Sequence, residues 1–326
     1  MHAFLATPWA FQAAVITALG LCVGSFLNVV IHRVPIMLER DFHAWARETL
    51  AADGPGTDRA PAPEAAGAPH GAGDDASVPG HEFAERPGDP ATEDGDAGRF
   101  DLIKPDSHCP RCKAPIRAWQ NVPVLSWLLL RGRCASCALP IPVRYPLVEL
   151  GTGAITLLAV LQFGPASAQL WAALPCLWTL IALSMIDFDH QILPDDMTYP
   201  LLWGGLLLSV FPVFVGPTDA IVGAAAGYLS LWSVYWAFKL LTGREGMGHG
   251  DFKLLAAAGA WTGWMALPYL VLVASFAGLL IQGAIIGFGA RGREQPFAFG
   301  PYLAVAFAVL LLFRDELARY AGVPLN

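Results

Sequence analysis

Long apolar runs without charge dominate the chain. Ala3 to Ile31 carries no ionised side chain, and Leu150 to Ile186 is a second uncharged stretch broken at Gly164 and Pro165. Met197 to Val215 and Ala220 to Phe238 follow as single runs. Leu254 to Ala290 breaks between Trp261 and Pro268, and Phe297 to Phe313 closes the series. A bilayer core about 30 Å thick takes roughly 20 apolar residues per helix, because backbone groups inside it find no water to bond. Leu150 to Ile186 is long enough to cross twice, and Leu254 to Ala290 gives a short and a full crossing. The pattern predicts an all-α polytopic membrane protein of about eight transmembrane helices. The first lies in residues 1–31 and the other seven in 145–326, with a polar loop over 32–144.

Composition agrees. Of 326 residues 55% are hydrophobic and only 14% charged, against about 25% charged in soluble domains. The formal charge of −7 misleads, since residues 51–100 hold three basic and eleven acidic side chains, a net −8, and the remainder sums to +1. Nothing there favours a nucleic-acid partner. The loops after helices 1, 3, 5 and 7 contain 18 of the 20 Lys and Arg residues. By the positive-inside rule those loops are cytoplasmic, and both termini face the opposite, periplasmic or exterior side. The first run has no preceding basic residue and is too long for a signal-peptide core, so it is expected to stay as a membrane helix.

In the first loop, Asp53 to Gly98 is built of Ala, Gly, Pro and acidic residues and reads as a disordered insert. Before it, Glu39 to Leu50 is a charged, helix-compatible stretch. After it, about residues 105–140, come Cys109-Pro-Arg-Cys112 and Cys134-Ala-Ser-Cys137, with 21 residues between the pairs. Each CxxC turn aims two thiolates at one point, so two turns supply a tetrahedral four-sulfur site for zinc. Disulfides are the alternative, which a reducing cytoplasm disfavours. With four protein ligands no coordination position stays open, so the metal is structural. Cys22 and Cys176 fall within helices and are expected to be small apolar packing residues.

Ionisable groups at membrane depth need a reason. The third helix ends in Ser184-Met-Ile-Asp187-Phe-Asp189-His190, followed by Leu193-Pro194-Asp195-Asp196. The sixth begins after Gly246-Met-Gly248-His-Gly250-Asp251. Two crossings separate Asp187 from Asp251, so both return to the cytoplasmic interface. Two carboxylates within a few ångströms cannot both ionise readily, and the pair then offers an acid and a base that share a water, the chemistry of aspartic peptidases. The glycines at 246, 248 and 250 suit a close backbone approach, as when a substrate strand is laid beside the pair. A plainer account also fits, in which the four aspartates from 187 to 196 form a solvated turn and Asp251 caps its helix.

Several of these segments occur together in a known family. Gly24-Ser-Phe-Leu-Asn-Val-Val-Ile-His-Arg33, the two CxxC knuckles, Arg144-Tyr-Pro-Leu-Val-Glu149, Asp187 to Asp195, Gly248-His-Gly-Asp251 and Phe299-Gly-Pro-Tyr302 together resemble the type IV prepilin peptidases, the GxGD aspartic proteases of pilus assembly and type II secretion. The resemblance implies a bacterial inner-membrane enzyme that cleaves the basic leader of prepilins and pseudopilins at the cytoplasmic face. It further implies N-methylation of the new amino terminus, usually Phe, with S-adenosylmethionine as methyl donor. Carried over by position, Asp187 and Asp251 are the catalytic pair, Asp189, Asp195, Gly248 and Gly250 are supporting residues, and the four cysteines are the zinc site. It assigns no residue to the methyl donor. The insert is longer and more acidic than the family pattern.

Two other classes compete. A proton- or cation-coupled transporter would place its carboxylates near the midplane at a repeat boundary, whereas these cluster at one interface. A non-enzymatic, zinc-bearing scaffold of a secretion system would tolerate loss of Asp251.

Overall fold

The computed structural model describes residues 7–52, 100–104, 106–244, 246–287 and 298–321. The predicted insert from Asp53 to Gly98 lies outside them. Among the described residues there is no strand, only two isolated bridges beside the cysteines. The helices are α1 (Trp9–Ala52), α2 (Arg144–Phe163), α3 (Ala168–His190), α4 (Asp195–Ser209), α5 (Pro217–Thr242), α6 (His249–Thr262), α7 (Leu267–Gly287), α8 (Gly300–Leu312) and a short polar α9 (Arg314–Ala321). Five segments are long and apolar enough to cross a membrane: α1, α2, α3, α5 and the Trp264–Ile285 stretch that holds α7. The chain is therefore a polytopic membrane protein. With 15, 14 and 13 residues, α4, α6 and α8 rise only about 20–22 Å, so helix length alone accounts for five crossings.

The predicted breaks fall where the backbone demands them. Gly164 takes φ +79° after α2, and Ser167 then caps α3 by accepting the Leu170 N–H at 3.0 Å. Gly263 takes φ +81° between α6 and a 3-10 turn at Trp264–Ala266. One boundary differs from expectation: α1 continues without a break through Pro35 to Ala52, so the charged stretch from Glu39 prolongs the first helix. The described residues divide into two units, one within 37–105 and one made of the remainder. Within the first of these the Arg40 guanidinium sits 4.1 Å over the Phe100 ring.

Helix α6 is the most enclosed element, with every residue from Leu254 to Thr262 buried. Its small side chains explain how it sits among α4, α5 and α8. A Cβ on Gly223 of α5 would lie 2.3 Å from the Gly259 carbonyl oxygen, and one on Gly259 would lie 2.2 Å from that of Gly223. The two backbones touch, the contact that small residues permit between membrane helices. On the other flank, Trp261 donates its indole N–H to the Leu201 carbonyl at 2.8 Å.

Candidate active site and metal centre

Helix α3 stops at His190 because Gln191 turns left-handed (φ +56°), its N–H closing on the Asp187 carbonyl at 2.9 Å. That leaves Asp187 in the last turn, with Ile186 and Asp187 facing inward and Phe188 exposed. Helix α6 starts at Gly248, whose carbonyl accepts the Asp251 N–H at 3.3 Å, and Asp251 occupies the first turn. Both acids are buried, 5% and 7% exposed, and lie within electrostatic reach of each other. The N–H of Gly300, first residue of α8, faces the Asp187 carboxylate, yet the buried Oδ2 makes no hydrogen bond of normal geometry. Three helix ends thus converge on two desolvated carboxylates, an arrangement a solvated turn does not require.

The other aspartates behave differently. Asp189 pairs in bidentate fashion with Arg144, the first residue of α2, with one contact at 2.8 Å. Asp195 pairs with Lys253 at 2.6 Å, tying the start of α4 to α6 two residues beyond Asp251. These partly exposed pairs tie helix ends together around the acids.

The glycines divide in the same way. A Cβ on Gly250 would lie 2.7 Å from the Leu193 Cβ, and one on Gly246 would meet the Phe238 ring at 2.8 Å. Around Gly248 the space is open. The close neighbours are thus side chains of this chain, where the glycine spacing suggests room for another backbone. The His249 ring packs against those of Tyr235 and Phe252 in tilted contacts, at centroid distances of 5.1 and 5.4 Å.

The Gly24 motif packs on the start of α2. A Cβ there would lie 2.7 Å from the Glu149 Cα, and Asn28 donates to the Tyr145 carbonyl at 3.2 Å. Buried Glu149 accepts the Val124 N–H at 2.7 Å. Val124 has φ +59°, at the centre of a tight turn closed by the Leu125 N–H and the Pro123 carbonyl at 2.5 Å. Such a γ-turn is rare and strained for a β-branched residue. One carboxylate therefore secures the cysteine-bearing segment to α2.

The four predicted cysteines come together, their sulfurs all within 4.8 Å of one another. Cys109 and Cys137 sulfurs are 3.7 Å apart and those of Cys112 and Cys134 are 4.0 Å apart. A tetrahedral zinc with Zn–S bonds of about 2.3 Å sets its sulfurs about 3.8 Å apart, so the donors fit a closed four-sulfur site. Both knuckles fold alike: the Cys109 N–H bonds the Ala114 carbonyl and the Cys134 N–H that of Leu139. Lys113 and Ala138, each one residue past the second cysteine, both turn to positive φ. This matches a repeat that the cysteine spacing alone does not reveal, Cys-x-x-Cys-x-x-Pro-Ile, at 109–116 and 134–141. Backbone N–H groups of Cys112 and then Arg111 bring the Cys109 thiol down to about 6, whereas at Cys137 the Leu139 backbone is outweighed by burial and the neighbouring cysteines, which push the thiol up to about 11. Of the other two cysteines, Cys176 is buried as expected, whereas Cys22 is exposed on α1.

Sequence reasoning gives no part to Leu193, Lys253 or Gly300. At Gly300 the signals are its place in the Phe299-Gly-Pro-Tyr302 segment of the family resemblance and the Gly-Pro pair that opens a helix.

Two family models match the chain: the bacterial peptidase A24 N-terminal domain over residues 18–163 and the type IV leader peptidase family over residues 174–283. Among curated relatives, a "Prepilin leader peptidase/N-methyltransferase" of Aeromonas hydrophila is 44% identical over 313 residues, covering 96% of this chain and 94% of the relative. Proteins of the same description from Stutzerimonas stutzeri and Pseudomonas aeruginosa are 45% and 43% identical, again over 96% of this chain and over 95% and 93% of their own lengths. No solved structure matches the chain.

Proposed function

Because the chain belongs to the type IV leader peptidase family, we propose that it is a membrane aspartic endopeptidase that removes the leader peptides of type IV prepilins and type II secretion pseudopilins. It then N-methylates the new amino-terminal residue with S-adenosylmethionine as methyl donor. The observation that carries the peptidase half is the burial of Asp187 and Asp251 at one end of the bundle. Their placement together at helix ends favours hydrolysis over ion transport.

In the proposed reaction a water sits between the two carboxylates. The ionised one takes a proton from the water as its oxygen attacks the scissile carbonyl carbon. The protonated one donates a hydrogen bond to the carbonyl oxygen, and the C–N bond breaks as the amine is protonated. Asp189 and Asp195 hold α3 and α6 in place through Arg144 and Lys253. The four-cysteine centre takes zinc, which folds the segment that carries it. The protein crosses the bacterial inner membrane eight times, with both termini periplasmic and the acids at the cytoplasmic face.

The test is incubation of the purified protein with a prepilin. The wild type cleaves, and Asp187→Asn and Asp251→Asn each abolish cleavage while still inserting into the membrane. Substantial turnover by either variant refutes the mechanism. Methyl transfer to a pre-cleaved peptide, assayed alongside, tests the second activity independently of the first.

A further inference from the structure

We propose that Leu193 is the positioning residue of the carboxylate pair, a wedge between Gly250 and Gly300 that sets where Asp251 and Asp187 stand. This rests on the peptidase reading above. Leu193 belongs to the short link between α3 and α4, next to Pro194, which precedes the first residue of α4. A Cβ placed on Gly250 would lie 2.7, 3.2 and 3.4 Å from the Leu193 Cβ, Cδ1 and Cγ. A Cβ placed on Gly300 would lie 3.3 Å from the Leu193 Cδ1 and 2.6 Å from the Asp187 Oδ2. One side chain therefore touches the residue before Asp251 and the residue that faces Asp187.

Neither glycine has the positive φ that would call for glycine on backbone grounds, so space alone keeps side chains out. The Leu193 wedge fills what α6 and α8 leave open at their first turns. Its size and the missing methyl groups together set the separation of the acids. Adding a methyl at 250 drives the first turn of α6 off Leu193 and takes Asp251 with it. Adding one at 300 strikes the Asp187 carboxylate directly.

The two cases separate in a variant cycle on the full chain, read as kcat and KM on a prepilin and as the thermal unfolding midpoint in detergent. Gly250→Ala and Gly300→Ala each lower kcat by about 100-fold, the effect of a misplacement near 1 Å, with KM held within about threefold. Leu193→Gly removes the three atoms that Gly250→Ala would strike and by itself lowers kcat severalfold, with unchanged kcat in that single variant overturning the positioning role. In that background the Gly250→Ala change is silent in kcat and in the midpoint. Gly300→Ala stays damaging there, because its nearest neighbour is the carboxylate.

The proposal is overturned if Gly250→Ala has the same effect with and without the Leu193 side chain, as a glycine kept for a substrate backbone would show. It is equally overturned if Leu193→Gly rescues both glycine variants. Should Gly250→Ala fail to accumulate, accumulation is the readout: return in the double variant supports the wedge and continued absence overturns it. If the wild type does not cleave, or the Asp→Asn variants do, the peptidase reading fails, while the unfolding midpoints still decide the wedge.

Discussion

Removing one cysteine from the metal centre tests both its chemistry and its reach. Among described residues 106–143 only Cys109 and Gly132 are buried, so this segment has almost no apolar core of its own. Structural zinc in peptides of this kind contributes about 10–16 kcal/mol at pH 7, more than the segment's few backbone bonds and the Glu149 contact can replace. Cys134→Ser breaks the 4.0 Å pair with Cys112 and leaves three thiolates. We expect one zinc per wild-type chain by metal analysis, and sharply less in the variant. Hydrogen exchange should become fast over 106–141 and stay slow in α3 and α6, whose burial owes nothing to the metal. Methylation should fall more than cleavage. Freshly purified, reduced protein without zinc, or exchange over 106–141 that is unchanged by chelation, refutes the reasoning. Iron in place of zinc would refute the metal's identity alone, since a four-sulfur site can also hold iron.

Arg144→Gln breaks a pair whose side chains are 39% and 24% exposed, so stability should drop by about 1 kcal/mol or less and cleavage by about fivefold or less. A loss as complete as that of Asp187→Asn would give Asp189 a place in the chemistry. Val124→Gly should raise the unfolding midpoint by relieving a residue at φ +59° that costs of order 1–3 kcal/mol, whereas Glu149→Ala should lower it by stranding the Val124 N–H; the opposite order would show that Glu149 does not hold the turn. Deleting 53–98 should leave kcat/KM unchanged at every ionic strength. A severalfold loss at low salt that closes as salt rises would show instead that the acidic tract steers basic leaders to the site.

Much of the architecture was legible because lipid imposes length and apolarity on each run, and Gly164 and Gly263 mark the breaks. The four-cysteine cluster was legible because a CxxC turn carries its geometry locally. Legibility ended where contacts join residues far apart in the chain. Nothing in the local pattern of Leu193 connects it with Gly250 or Gly300. The separation of Asp187 from Asp189 was legible only through the family resemblance, since both are aspartates in one turn. The continuation of α1 to Ala52 is hidden because charge suggests the end of a helix, whereas it ends only the apolar stretch.

Both acids sit in one recurrent setting. Asp187 and Asp189 are two apart on α3, and Asp251 and Lys253 are two apart on α6. Residues two apart on a helix point about 200° away from each other, so each buried acid has a charged residue on the opposite, wetter face. Each outer charge is paired with the first residue of another helix, Asp189 with Arg144 of α2 and Lys253 with Asp195 of α4. Two such ties resist rotation of α3 and α6 about their axes, the motion that would turn an acid out of the site without breaking any backbone bond. Partly exposed ion pairs contribute little to stability, so these two are weak restraints on rotation, in line with the modest loss expected of Arg144→Gln. The solvated-turn account therefore holds for Asp189 and Asp195 and fails at Asp187 and Asp251, which are buried.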